Sequence, residues 1–243
     1  MKKEGSAISG TSSPGSRNGG TDGAGRGSAA TAPDEYVAAE RLFYHKAALD
    51  AAWTGSRLLI GALGFLFGAF IFAYFYLRSL NSHGMWRPAG FTGPHLWAGT
   101  LITGLVAVSA IVQAGALMLA KRGAKGPWRL GAIAVLVMGL AAVGLQIWEL
   151  LSVSFYPASS GFASVFTGFY PVYALIAFAA MIWLETLIMR AVKIPAGWFA
   201  EAPAAPSDVI VLQRFQASLS AFTAVWCFLT AIAVLAWMLF YLI

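Results

Sequence analysis

The sequence predicts an all-α membrane protein, a bundle of five transmembrane helices behind a disordered N-terminal tail. The N-terminus is expected in the cytoplasm and the C-terminus on the periplasmic or external side. Three observations lead there. Of 243 residues, 59% are hydrophobic and only 11% charged, with a mean hydropathy of +0.72, whereas soluble domains carry about a quarter charged residues. Five apolar stretches each reach the roughly 20 residues that a span requires. Fourteen of the sixteen Lys and Arg residues fall before the first span or in the second and fourth loops, which the positive-inside rule assigns to the cytoplasm.

Residues 1–33 are Gly, Ser, Ala and Thr with almost nothing apolar. Such a segment cannot offset its ordering entropy by burial. Lys2 and Lys3 are followed by no apolar core, so it does not read as a signal peptide. At Asp34 the pattern changes. Residues 34–54 read as a short amphipathic interfacial helix or a polar lead-in to the first span, with Tyr36, Ala39, Phe43 and Ala47 on one face and Glu40, Arg41 and Asp50 mostly elsewhere. Residues 55–243 hold the spans, at about 57–79, 96–120, 129–154, 162–189 and 215–242. The loops after spans one and three carry two and no Lys or Arg, respectively.

Charge and cysteine content exclude several classes. The net charge of +6 is distributed as a membrane-orientation signal, not as a nucleic-acid surface. A single cysteine, Cys227, permits no internal disulfide and no multi-cysteine metal site. His83 and His95, twelve apart in one loop without an acidic neighbour in sequence, do not make a metal motif. No nucleophile–base arrangement and no phosphate-cradling glycine loop is present.

Polar groups inside spans are the functional candidates, because they are expensive there. Glu185 lies near the end of span four, close to Arg190, where snorkelling accounts for it. Glu149 lies deeper, in "LQIWELL", with Gln146 three residues earlier on the same helix face. That pair can bond a neighbouring helix or a lipid headgroup. Gly64 and Gly68 form a small-xxx-small pattern that favours close helix approach. Pro171 is expected to kink or start span four, and Trp86 to anchor the first outer loop at the interface. The run "FIFAYFYLRS" (70–79) is, by its chemistry, lipid-facing.

Several segments, taken in order, resemble subunit III of the haem-copper oxidases. They are "AYFYLR" (Ala73 to Arg78), "WRP" (Trp86 to Pro88), Thr103 with Ser109, Gln146 with Glu149, "TGF" (Thr167 to Phe169), "VW" (Val225, Trp226) and the terminal "FYLI". The resemblance covers about residues 55–243. It departs from the family at Leu63, where a glutamate is usual, at Tyr170 and Tyr173, which replace two histidines, and at Ser220 and Thr223, which replace histidine and aspartate. The resemblance implies a non-catalytic accessory subunit of a respiratory terminal oxidase in a bacterial inner membrane. Such a subunit packs on catalytic subunit I, beside subunit II, and binds phospholipid. Haem and copper would sit in those partners, with no cofactor, metal or catalytic residue in this chain. It points to Arg78, Gln146, Glu149, Tyr170, Tyr173 and Trp226 as lipid or subunit contacts. Residues alone leave two other readings open: a small transporter or channel, and a membrane subunit of another enzyme such as a nitric oxide reductase or copper hydroxylase.

Overall fold

The computed structural model describes residues 31–81, 84–88, 90–201, 203 and 205–243. The expected tail lies, up to residue 30, outside the described residues, as do His83 and the side chains of Ala39, Arg41 and Asp50. The described chain contains helices and no strand, in the order α1 (Thr31–Leu80), α2 (Leu96–Lys121), α3 (Lys125–Ser152), α4 (Gly161–Lys193), the short α5 (Gly197–Ala200) and α6 (Pro206–Trp237). A π-helical turn, Met238–Leu242, continues α6. Residues 31–43 belong to a separate unit; they are helical, with Tyr36, Glu40 and Phe43 exposed.

Five stretches are long and apolar enough to cross a membrane: Ala51–Leu80, Leu96–Lys121, Lys125–Ser152, Gly161–Lys193 and Ser207–Leu242. Each contains or closely matches an expected span, and the protein is a multi-pass membrane protein with the expected five-helix, all-α architecture. The helix limits follow local chemistry. Ser160 caps α4 by accepting a hydrogen bond from the Ala163 amide at 3.1 Å. Ile194, extended before Pro195, stops it. Pro206 opens α6, where a missing amide costs nothing. Pro171 lies ten residues inside α4, so it does not start that helix.

Within residues 44–243, α2 packs along α3 and α6, and α4 packs on α3 and α6. One close contact between α3 and α4 is made at a glycine. A Cβ on Gly139 of α3 would come within 2.2 Å of the Met181 sulfur on α4. The Gly64–Gly68 pair does not play this role. Nothing lies within 4 Å of a Cβ at Gly68, and at Gly64 the nearest atom is a Phe228 ring carbon at 3.8 Å. Instead, α1 meets the bundle through large side chains, which hold its backbone away. Phe67 packs on Phe169 and Tyr173 with ring centroids at 5.4 and 5.9 Å, and Phe70 meets Phe169 edge-on at 5.7 Å.

The 3.6-residue period divides the aromatic run. Phe72, Phe75 and Tyr76 are exposed, as a lipid-facing run would be, but Tyr74 is fully buried. Its hydroxyl donates to the Leu239 carbonyl at 2.7 Å. Trp86 also departs from expectation. It is 9% exposed and packs edge-to-face on Tyr74 at 5.1 Å and on Phe162 at 5.8 Å. The loop folds inward because these rings and Phe240 form one aromatic cluster there. Arg87 completes the closure by donating to the Phe240 carbonyl at 3.1 Å.

Tyr74→Phe keeps the ring but removes the bond to the Leu239 carbonyl and the long one from Arg78, so it should cost about 1 kcal/mol, whereas Tyr74→Ala should cost about 3–5 kcal/mol. Thermal unfolding in detergent, followed by circular dichroism, should rank wild type, Tyr74→Phe and Tyr74→Ala in that order.

Candidate functional site

Apart from Ser56, which bonds the Trp53 carbonyl of its own helix, the buried polar residues among those described fall into two clusters. The first joins α2 to α6 midway along their length. The Trp226 indole donates to Ser109 Oγ at 3.0 Å, and Ser109 donates in turn to the Val106 carbonyl. The Gln113 amide donates to Thr223 Oγ1 at 3.0 Å, one helical turn away. All four side chains are buried. Hydrogen bonds of this kind hold spans together where lipid supplies no hydrophobic drive.

The second cluster lies at the end of the bundle that carries the C-terminus. α3 ends three residues after Glu149, so Gln146 and Glu149 occupy its last two turns. Gln146 is 4% exposed and Glu149 0%. Across from them, Tyr170 of α4 shares a hydrogen bond with Tyr241 between hydroxyls 2.5 Å apart. The position of Tyr241 depends on Gly99 of α2: a Cβ there would come within 2.2 Å of the Tyr241 Cζ. With only hydrogen at Gly99, the ring packs against α2 and its hydroxyl reaches Tyr170 of α4.

The polar neighbours of Glu149 are the Tyr241 hydroxyl and the ring and backbone amide of His95. Neither carboxyl oxygen is within hydrogen-bonding geometry of a donor among the described residues. A carboxyl taken out of water with both oxygens unpaired is costly. Glu149 is therefore the chemical centre of this cluster: it can hold a proton or accept a donor that reaches it. His95, Trp97 and Trp148 pack above it, with ring centroids 5.5–6.4 Å apart. Among the described residues, no three His, Cys, Asp or Glu side chains group as metal ligands do.

The structure brings together Gln146, Glu149 and Tyr170. Tyr173 lies one turn further along α4, donates to the Leu229 carbonyl at 3.1 Å and is buried. Arg78 stands apart, over the Tyr74 ring at 6.0 Å, with its guanidinium 3.5 Å from the hydroxyl that it caps. Trp226 belongs to the α2–α6 cluster. Sequence reasoning missed Tyr241, His95 and Gln113 as members of these clusters. Gln113 carried a usable signal, an amide in the middle of an apolar span. Tyr241 and His95 did not, because their importance comes only from what folds against them. No protein-family model matches the chain, and no curated protein matches it.

Replacing Glu149 by Gln should leave thermal stability within about 1 kcal/mol of wild type, since Gln keeps the shape and an oxygen that can still accept from the Tyr241 hydroxyl or the His95 amide. Gly99→Leu should lower it by about 1–3 kcal/mol by displacing the Tyr241 ring. Unfolding of the two variants side by side checks both expectations.

Proposed function

We propose that the chain is a non-catalytic accessory subunit of a haem-copper terminal oxidase in a bacterial inner membrane. In this reading its N-terminus is cytoplasmic and its C-terminus external. It packs on the catalytic subunit I beside subunit II, contributes to the stability of the complex, and binds phospholipid. Haem and copper belong to those partners.

One observation carries the reading: the segments that resemble subunit III meet one another in space. "AYFYLR" joins "FYLI" through Tyr74 and the Leu239 carbonyl, 165 residues apart in sequence. "WRP" joins the same turn through Arg87 and Phe240. Ser109 joins "VW" through Trp226. Tyr170, next to "TGF", joins "FYLI" through Tyr241, and Glu149 of the glutamine–glutamate pair faces that tyrosine. The two substituted histidines are also accounted for: Tyr170 and Tyr173 occupy buried positions and each has a hydrogen-bond partner. Transport is favoured less, since the interhelix core is dominated by aromatic and aliphatic side chains.

The test is affinity purification from native membranes in mild detergent, followed by subunit identification and a reduced-minus-oxidised spectrum. Haem bands and a large partner with many histidine-bearing spans are the expected result. A lone colourless protein would overturn the reading. In the complex, Glu149→Ala should reduce recovery of the partner several-fold and leave the haem bands of what assembles unchanged. Altered bands in a fully assembled complex would contradict an accessory role.

A further inference from the structure

Three cations meet at the end of the bundle away from Glu149. Arg190 and Lys193 lie in the last turn of α4, and Arg214 lies in the third turn of α6. All three line one cavity of about 390 Å³, a size within the range of ligand sites. Trp198 of α5 and Val211, Phe215 and Ser218 of α6 form much of the remaining wall. Arg190 is twenty residues from Tyr170, about 30 Å along α4, so the cavity is remote from the Glu149 cluster.

The chain itself does not answer these charges. No carboxylate of a described residue lines the cavity. Arg190, Lys193 and Arg214 are exposed, and none makes an ion pair or hydrogen bond to another described residue. Lys125, at the same end, differs. It donates to the Ile194 carbonyl and stands 5.8 Å from the Phe199 ring centre. Arg190 and Lys193 are three residues apart on one helix, where side chains are neighbours and like charges repel. The carbonyl end of α4 offsets part of that cost. It does nothing for Arg214, whose own helix presents its amide end here and carries Asp208 in its first turn. Membrane orientation requires only that cations flank this loop. It does not require them to converge from two helices on one cavity. An anion between them removes the repulsion.

We propose that this cavity binds an anionic phospholipid of the phosphatidylglycerol type. Its phosphate diester lies among Arg190, Lys193 and Arg214, within reach of the Ser218 hydroxyl, and its glycerol and hydrocarbon portion rests on Trp198, Val211 and Phe215. The cations alone would suit any phosphate. The apolar walls beside them favour one that carries hydrocarbon, because it also takes their area out of water. Basic cavities between spanning helices recognise such headgroups. A zwitterionic lipid fits worse, since it brings an ammonium among three cations. The proposal goes beyond the accessory-subunit reading: these residues define the site whatever complex the chain belongs to, and they name the headgroup charge.

The experiment is native mass spectrometry of the full chain, delipidated in detergent and titrated with dioleoyl-phosphatidylglycerol, dioleoyl-phosphatidylcholine or inorganic phosphate. One phosphatidylglycerol per chain should bind at least about tenfold more tightly than phosphatidylcholine. Arg190→Gln, Lys193→Gln and Arg214→Gln combined should weaken it about a hundredfold, about fivefold for each charge. Arg214→Gln alone should weaken it about fivefold, and Arg214→Lys, which keeps the charge, should not. Lys121→Gln, Arg122→Gln and Arg129→Gln combined remove equal charge from exposed positions that do not line the cavity and should leave binding unchanged. Circular dichroism should show the same helix content in every variant; the single Arg214 variants decide the matter if the triple variant is misfolded. Equal affinity for the two lipids, equal loss in the control variant, or indifference to the Arg214 variants would each overturn the proposal. So would inorganic phosphate that binds as tightly as the lipid, which assigns the cavity to a soluble anion. An amide crosslink in native membranes from Lys193 to a carboxylate of another protein would also overturn it, by assigning the cations to a protein partner. A haem-bearing complex whose chain shows no such selectivity would reject this site and keep the oxidase reading. A colourless lone protein that shows it would keep the site and reject that reading.

Discussion

The π-helical turn Met238–Leu242 packs Leu239 and Phe240 into the bundle, and two of its carbonyl groups are paired by side chains from distant segments. In a π-helical turn the amide of Ile243 pairs with the Met238 carbonyl, which leaves the following carbonyls open to side-chain donors. Tyr74 pairs the Leu239 carbonyl and Arg87 pairs that of Phe240. The rest of this end follows from the constraint. Tyr74 must turn inward, so α1 presents its large aromatic face to the bundle. Arg87 must reach the same turn, so the loop after α1 folds back and buries Trp86. Tyr241, carried on the same turn, is then delivered against Gly99 and Tyr170, next to Glu149.

Packing and polar contacts divide the work between the two sides of the bundle. α2, α3 and α4 approach closely where side chains are small, as at Gly139. α1 approaches through rings and stays further off. The hydrogen bonds between α2 and α6, Ser109 with Trp226 and Gln113 with Thr223, fix which faces of the two helices meet. Each is worth on average only about 0.6 kcal/mol in lipid, so their main effect is on register, while the surrounding contacts supply most of the stability. α4 faces both ways: Tyr170 and Tyr173 are tied inward, and Leu175, Phe178, Ile182 and Glu185 face outward.

The five spans and the all-α class are legible in the apolar runs alone, because a stretch of some 20 apolar residues has no other stable arrangement in a bilayer, although the first and last spanning helices begin six and eight residues before the runs suggest. The sequence also marked Gln146 and Glu149, since a carboxyl and an amide three residues apart on a helix share a face whatever surrounds them. The tertiary structure decided what no period encodes. It placed in the core both Tyr74, which reads as lipid-facing, and Trp86, which reads as an interface anchor, because Tyr74 and the neighbouring Arg87 bond carbonyls more than 150 residues away. It gave the close approaches to Gly99 and Gly139 and withheld one from Gly64 and Gly68, because a glycine permits contact and only the opposite helix makes it. It assembled Tyr241, Tyr170 and His95 around Glu149 from four segments, and it left Glu185 facing outward when nearby Arg190 reads as its natural neighbour. Local composition fixes which segments enter the membrane, while long-range contacts fix which side chains meet there.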